Sequence, residues 1–231
     1  GISLEPTRFE VAQRDTHSVE AVGVEAVGVE AVVWDIGRVL VEFDLGRIYR
    51  TAIPDVRERA RFVAEVVSED WHAGHDTGLS FAEMVAARTA QFPQHAARIA
   101  LYASNWLDSL PGPVPGTHPL VERLAACGVP QYAITNFGVD AWALFRPTFP
   151  ILDHMRDIVI SGVERLVKPD EAIFHLAARR FARAPETMLF IDDSAANIAT
   201  ARRLGWQVHH FTGDAAALDA QLQALNLLPA A

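Results

Sequence analysis

Cys127 is the only cysteine in this chain of 231 residues, so no intramolecular disulfide can form. That fits a reducing compartment. Long hydrophobic runs are also missing: no apolar stretch is long enough to span a bilayer, and no basic segment followed by an apolar one opens the chain. A soluble, cytoplasmic protein is the expectation. Positive charge is scarce, with 20 Lys and Arg against 29 Asp and Glu and a formal charge of −9. A broad nucleic-acid surface needs clustered cations to neutralise phosphates, so that class is disfavoured. A small anionic substrate is not, because a metal and one or two cations can make a local positive site. What the chain does have is apolar material, 50% hydrophobic against 21% charged, enough for a sizeable core. Its length suits one large domain, or a domain with a modest insertion.

Residues 1–18 are mixed and polar without a clear period, and VEAVGVEAVGVEAVV follows over residues 19–33. A five-residue unit is too short for a solenoid, so residues 1–29 are expected to be an extension whose repeats lead into the first strand. From there, short apolar runs at 30–34, 130–134, 157–160, 188–191 and 206–210 alternate with helical patterns at 117–126, 139–146, 170–181 and 195–203. That alternation predicts an α/β fold with a doubly wound, mostly parallel sheet, Rossmann-like. Pro169 is expected at a first helical position, Asp193-Ser194 at a cap and Gly205 at a stop. Residues 46–112 carry apolar residues at three- and four-residue spacing in IYRTAI, VRERARFVAEVV, FAEMVAARTAQF and AARIALYASNWLDSL. A single crossover does not need so many residues, so a helical bundle inserted between 30–45 and 113–231 is expected, with PGPVPG at 111–116 as the return linker.

Three strands end in polar groups: Asp35 after AVVW, Thr135-Asn136 after YAI, and Asp192-Asp193 after LFI. In a parallel sheet these ends share one edge, where ligands bind. Three carboxylates there repel one another unless a cation neutralises them or their pKa values rise. A hard ion with oxygen ligands resolves the conflict, Mg²⁺ most naturally, with Lys168 adding positive charge. Singly, each of these residues is an ordinary turn, cap or surface residue. It is the ordered set that points to chemistry.

Asp35-Ile36-Gly37-Arg38-Val39-Leu40, Ile134-Thr135-Asn136, Val167-Lys168-Pro169-Asp170 and Phe190-Ile191-Asp192-Asp193 resemble the four successive motifs of the haloacid dehalogenase-like hydrolase superfamily. The likeness spans about residues 30–210. The helical insertion is similar to that superfamily's cap of the first type. The D-x-G-x-V-L opening, together with Asn197 after the paired acids, is similar to sugar 1-phosphate phosphatases. The resemblance implies a Mg²⁺-dependent phosphatase acting on a small phosphorylated metabolite, as a monomer or homodimer. Asp35 would attack phosphorus and form an aspartyl-phosphate. The metal would bind Asp35, the Gly37 carbonyl and Asp193, with Asp192 direct or through water. Thr135 and the backbone N–H of Asn136 would hold phosphoryl oxygens, and Lys168 would neutralise charge shared by nucleophile and phosphate.

Position 37 departs from the pattern, because most phosphatases of the superfamily place there a second Asp that protonates the leaving alcohol. General acid–base help is worth about 10²–10⁴ in rate, so an activated ester is expected: an anomeric sugar phosphate, or an aryl or acyl phosphate. Arg38 replaces a commoner Gly or Asn and could reach into the pocket, although a solvent-facing role is the plainer expectation. Asp44 is a weak candidate for a displaced acid. His72, His75 and Asp76 sit in WHAGHDTG (71–78), a loop-like stretch that could read the substrate, with His75 as the candidate contact. Alternatively it is a helix connection with Trp71 buried and the histidines wet. The spacing does not make a zinc site. Two competing functions remain at this stage. A 2-haloacid dehalogenase tolerates Gly37 but sits badly with paired acids, and a binding or regulatory protein keeps the fold without turnover.

Overall fold

The computed structural model describes residues 27–230, so the repeats before residue 27 lie outside the described residues. Five strands, β1 (Ala31–Trp34), β2 (Gln131–Thr135), β3 (Ile158–Ile160), β4 (Met188–Asp192) and β5 (Gln207–His210), coincide closely with the expected apolar runs. They form one parallel sheet in the order β3-β2-β1-β4-β5. Strand β1 is central, with Trp34 level with Ala133 of β2 and Ile191 of β4. The chain order reverses at β1, so the loops leaving β1, β2 and β4 open side by side on the carboxyl edge.

Side chains alternate across the sheet. Val32, Trp34, Ala133, Leu189 and Ile191 enter one core. Ala31, Val33, Ile134 and Phe190 enter the other. Being buried on both faces is why β1 reads as an unbroken apolar AVVW. The buried polar atoms between layers are paired: Trp34 Nε1 donates to Gln131 Oε1 at 2.9 Å, and Gln131 Nε2 donates to the Val121 carbonyl at 2.9 Å.

Between β1 and β2 the chain is helical: a 3₁₀ turn at Leu45–Tyr49, then α1 (Val56–Glu65), α2 (Glu69–Asp76), α3 (Phe81–Gln91) and α4 (Ala96–Ser104), then a second 3₁₀ turn at Trp106–Ser109. The stretch expected to be a loop at 71–78 is instead mostly α2. Ser68 caps it by accepting from the Trp71 N–H at 3.1 Å, and Glu69 and Asp70 sit in its first turn, where the helix dipole favours acids. Helix α3 begins with a full capping box between Ser80 and Glu83. Phe62, Phe81, Met84, Ile99 and Tyr102 join the core on one face of the sheet, so this helical layer is packed on the α/β body.

The remaining helices are α5 (Thr117–Ala126), α6 (Val139–Phe145), α7 (Ser161–Glu164), α8 (Glu171–Phe181), α9 (Ala195–Arg203) and α10 (Ala215–Ala224). Helices α5 and α10 cover one sheet face through Leu120, Val121, Leu124, Leu218 and Leu222. Helices α8 and α9 cover the other through Ile173, Phe174, Phe181 and Ile198. Pro169 is not at a first helical position: Asp170 is the extended N-cap and α8 starts at Glu171. Ser194 caps α9, and Gly205 stops it with a φ of +90°. The chain leaves and re-enters the α/β body along two adjacent segments, with Glu42 N donating to Gly112 O at 2.8 Å and Val114 N to Leu40 O at 3.2 Å.

Candidate active site

The carboxyl edge of the sheet opens into a cleft of about 520 Å³ with two walls of different origin. Its floor comes from the loops after β1, β2 and β4 and the loop before α8: Asp35, Gly37, Asn136, Lys168 and Asp193 line it. Lys168, the only lysine in the chain, is 4% exposed and its Nζ is fully committed. It donates to Asp35 Oδ1 at 2.9 Å, Asp192 Oδ2 at 2.8 Å and the Ile134 carbonyl at 2.9 Å. The loop that carries Lys168 is held by Asn136, whose amide donates to the Lys168 carbonyl and accepts from the Lys168 N–H, both at 2.9 Å. The Asn136 side chain is therefore a clamp on the lysine loop.

One oxygen each from Asp35, Asp192 and Asp193 lies within 4.8 Å of the others. Burial, followed by repulsion from Asp192, holds the Asp35 carboxyl well above the usual carboxylate range, against the pull of Lys168. The lysine itself is desolvated, yet Asp192 and Asp35 more than offset this and raise its pKa. One cation thus faces three acids. That residual negative charge and the all-oxygen donor set fit a divalent ion of the magnesium type. Asp192 is the least free of the three, because it also accepts from the Ser194 N–H at 2.8 Å and from Asn197 Nδ2 at 3.0 Å. Asn197, the residue in the D-D-x-x-x-N pattern, thus orients Asp192. Asp193 contributes its carboxylate to the cleft, while its backbone carbonyl accepts from His210 Nε2.

Thr135 ends β2, is 1% exposed and lies one residue before the lining residues Asn136 and Phe137. Arg38 lines the cleft at a φ of +63°, a backbone region open to Gly and Asn but costly for other residues. Its guanidinium pairs with Glu69 of α2 and lies 5.3 Å from the centre of the Phe43 ring. Asp44 is no displaced acid: it caps the 3₁₀ turn by accepting from the Gly46 N–H at 2.9 Å and does not line this cleft. A Cβ added at Gly37 would meet nothing within 4 Å, so the place of an acid is open and unfilled.

The roof of the cleft comes from α2 and the turn after α4: Glu69, Asp70, His72, Asp76 and Trp106. His72 stacks on Trp106 at 4.8 Å between ring centres, with Nδ1 2.6 Å from the Tyr102 hydroxyl and Nε2 3.6 Å from Asp76 Oδ1. Burial, with a smaller contribution from His75, pushes the His72 imidazole down to about 3, so it is neutral. Burial also raises the Tyr102 hydroxyl, which therefore stays protonated and shares a hydrogen bond with Nδ1. His75 does not reach the cleft. It is fully buried and stacked on Phe81 at 4.3 Å, with Nδ1 donating to the Leu79 carbonyl at 2.6 Å and Nε2 accepting from the Ala141 N–H at 3.2 Å. Its candidacy as a substrate contact is corrected to a structural one, joining α2 to α6. Gly138 makes room for it, since a Cβ there would lie 1.9 Å from the ring.

The structure thus gathers Asp35, Asp192, Asp193 and Lys168, lines the cleft with Gly37, Arg38 and Asn136, and removes His75. The histidines are not wet, and Trp71 is only half-buried. Sequence reasoning named Asp76 only as part of a stretch that could read the substrate, and passed over Glu69 and the aromatic residues Phe43, Trp106 and Phe137 as cleft residues. Ser68-Glu69-Asp70 carried a helix-start signal that would have placed Asp76 at a helix end, but nothing local marks Trp106 as its neighbour.

Comparison with known proteins now bears on this geometry. A haloacid dehalogenase-like hydrolase family model matches residues 29–205. Proteins of curated function return no match. Among solved structures, a HAD family enzyme of Bacteroides thetaiotaomicron, in complex with magnesium and inorganic phosphate, is 19% identical. It superposes with a TM-score of 0.63 over 83% of this chain and 99% of its own. A "predicted HAD-like family hydrolase" of Porphyromonas gingivalis is 20% identical, with a TM-score of 0.66 over 85% of this chain and 98% of its own. An L-2-haloacid dehalogenase of Xanthobacter autotrophicus is 16% identical, with a TM-score of 0.59 over 87% of this chain and 85% of its own. At such identities these structures speak for the fold. The family match covers most of the sequence, and with it the four motifs that form the cleft floor: the chain belongs to the haloacid dehalogenase-like hydrolases.

Proposed function

We propose that this hydrolase is a magnesium-dependent phosphatase that removes phosphate from a small phosphorylated metabolite, a sugar phosphate and in the first instance a sugar 1-phosphate. The observation that carries the reading is the convergence of Asp35, Asp192 and Asp193 around one spot with a single lysine to balance them. Asp35, Asp193 and the Gly37 carbonyl would hold the ion, with Asp192 fixed behind them by its three hydrogen bonds. When bound, magnesium supplies positive charge to the phosphoryl oxygens and to the nucleophile. Asp35 attacks phosphorus, and an aspartyl-phosphate forms and is later hydrolysed. Thr135 and the Asn136 N–H hold phosphoryl oxygens, Lys168 keeps Asp35 aligned and neutralised, and Arg38 stands at the rim. The magnesium and phosphate bound to the Bacteroides enzyme, on the same fold, are consistent with this assignment.

The competing reading is a 2-haloacid dehalogenase, supported by the Xanthobacter fold match and by Gly37. Uncompensated Asp192 and Asp193 beside the nucleophile argue against it, because they would repel a carboxylate substrate. The test is a panel of phosphate esters and 2-haloacids, run with Mg²⁺ and with EDTA, on wild type and Asp35→Asn. The phosphatase reading expects phosphate release that EDTA and Asp35→Asn abolish, and faster turnover of a sugar 1-phosphate than of its 6-phosphate isomer. Halide release that survives EDTA would sink it.

A further inference from the structure

A phosphate ester whose leaving oxygen is a poor leaving group needs a proton at that oxygen, and the floor of the cleft has none to give. Gly37 has no side chain, Asp35 is the attacking group, and Lys168 uses all three N–H bonds on Asp35, Asp192 and Ile134. A donor must come from the roof. There, Glu69 is tied to Arg38 and exposed, Asp70 is exposed, and His72 is held neutral by burial, so its ring N–H is too weak an acid to serve. Asp76 is left: its side chain is 17% exposed, it lines the same cleft as Asp35 and Lys168, and its Oδ1 lies 3.6 Å from His72 Nε2. That is too far for a direct hydrogen bond.

From this arrangement we infer that Asp76 is the general acid and base of the enzyme, supplying from helix α2 the carboxyl group that position 37 lacks. The inference rests on the phosphatase reading. Asp76 is the last residue of α2, and that helix end is pinned to the α/β body. Ser161 Oγ donates to the Asp76 carbonyl at 2.6 Å, and the neighbouring His75 is locked to Ala141. The carboxyl is thereby fixed relative to Asp35, which is what proton transfer in a transition state requires. Burial pushes its pKa up to about 8, with Lys168 pulling it down, so the group holds its proton near neutrality. The groups facing it are His72 on its own helix, Tyr102 behind His72 on α4, and Lys168 from the floor. Asp35, Asp193, Asp70 and the Arg38–Glu69 pair lie across the cleft.

In the first half-reaction an Asp35 carboxylate oxygen forms a bond to phosphorus, and the bond from phosphorus to the leaving oxygen breaks. The leaving oxygen keeps that electron pair and takes the Asp76 proton, releasing the alcohol. In the second, water occupies the vacated position and the Asp76 carboxylate removes its proton as its oxygen bonds to phosphorus. The bond from phosphorus to Asp35 then breaks, freeing phosphate and restoring a protonated Asp76.

The experiment compares p-nitrophenyl phosphate, whose leaving group needs little protonation, with phenyl phosphate, on wild type, Asp35→Asn, Asp76→Asn and Asp76→Asn with Gly37→Asp, all with Mg²⁺. For Asp76→Asn, kcat/KM on phenyl phosphate is expected to fall by about 10²–10⁴, while the nitrophenyl ester loses less than about tenfold. Adding Gly37→Asp, which the open space at that position admits, is expected to recover phenyl phosphate turnover. Equal losses on the two esters, or none, would overturn the inference. If Asp76→Asn does not fold, the wild type decides alone. Its ratio of phenyl to nitrophenyl turnover must fall as pH rises through the titration of Asp76, and a flat ratio refutes the assignment. Wild type inactive on both esters refutes the phosphatase reading itself. Activity lost in Asp35→Asn, with uniform losses in Asp76→Asn, refutes only the role of Asp76.

Discussion

Asp192 lies buried behind the floor of the cleft and Asp76 in its roof, with side chains 0% and 17% exposed, and their surroundings treat them differently. Asp192 accepts from Lys168, Asn197 and the Ser194 N–H. Asp76 has a neutral imidazole 3.6 Å away and a lysine that acts on it through space. A buried carboxylate takes a proton where no donor or close countercharge repays its desolvation, and that is the situation of Asp76. The floor is an ion-paired network whose acids come close enough together to hold a cation. The roof is an aromatic and hydrogen-bonded shell in which Asp76 is the one acid largely shielded from water, Glu69 and Asp70 being exposed. On the proposed reading, two kinds of chemistry, electrostatic and proton-transferring, are separated by wall.

The comparison breaks most completely at the nucleophile. Asp35→Asn is expected to lower Mg²⁺-dependent kcat/KM by about 10⁴–10⁶, the scale on which losing a member of a covalent catalytic set acts, with little change in melting temperature. Lys168→Met probes the ionic floor directly. It strands Asp35 and Asp192 without their countercharge, so denaturant unfolding should show a loss of about 3–5 kcal/mol in EDTA, partly recovered with Mg²⁺. An equal loss with and without the ion would mean that no cation binds there.

On the roof, His75→Ala leaves the Leu79 carbonyl and Ala141 N–H unpaired and should cost about 1–3 kcal/mol. It should not produce the leaving-group dependence expected of Asp76→Asn. The neutrality of the roof is testable by pH. Asp76 has its folded pKa raised from 3.8 to about 8, so the folded state binds the extra proton and stability falls as pH rises across that window. His72 has its folded pKa lowered from 6.5 to about 3, so its contribution is complete above 6.5 and is lost on acidification. The two slopes oppose each other below pH 6.5, and only the Asp76 slope remains above it. Urea unfolding should then show wild type losing roughly 2 kcal/mol between pH 6.5 and 8, relative to Asp76→Asn. Arg38→Gly is the smallest step. Relief of the left-handed backbone and loss of a half-exposed ion pair with Glu69 nearly cancel, leaving a change within about 1 kcal/mol.

Sequence reasoning reached the floor because each of its residues follows an apolar strand or precedes a helix. The alternation of β and α patterns alone puts Asp35, Thr135 and Asp192-Asp193 on one sheet edge. It failed on the roof for a physical reason. WHAGHDTG has no strong apolar period, and the burial of His72 and His75 comes from Trp106, Tyr102 and Phe81, which are distant in sequence. Nothing in the string of letters distinguishes a wet histidine from one stacked on an indole.

By itself, then, the sequence determined the parallel sheet, the helical layer between its first two strands, and the convergence of three acids and a lysine. All of these follow from short-range periodicity and the direction in which a parallel strand ends. Only the tertiary structure decided that Asn136 clamps the Lys168 loop, that His75 joins helices rather than reading a substrate, and that Asp76 lines the same cleft as Asp35. These depend on which distant side chains exclude water from a group and which return a hydrogen bond to it, and both are properties of the packed chain.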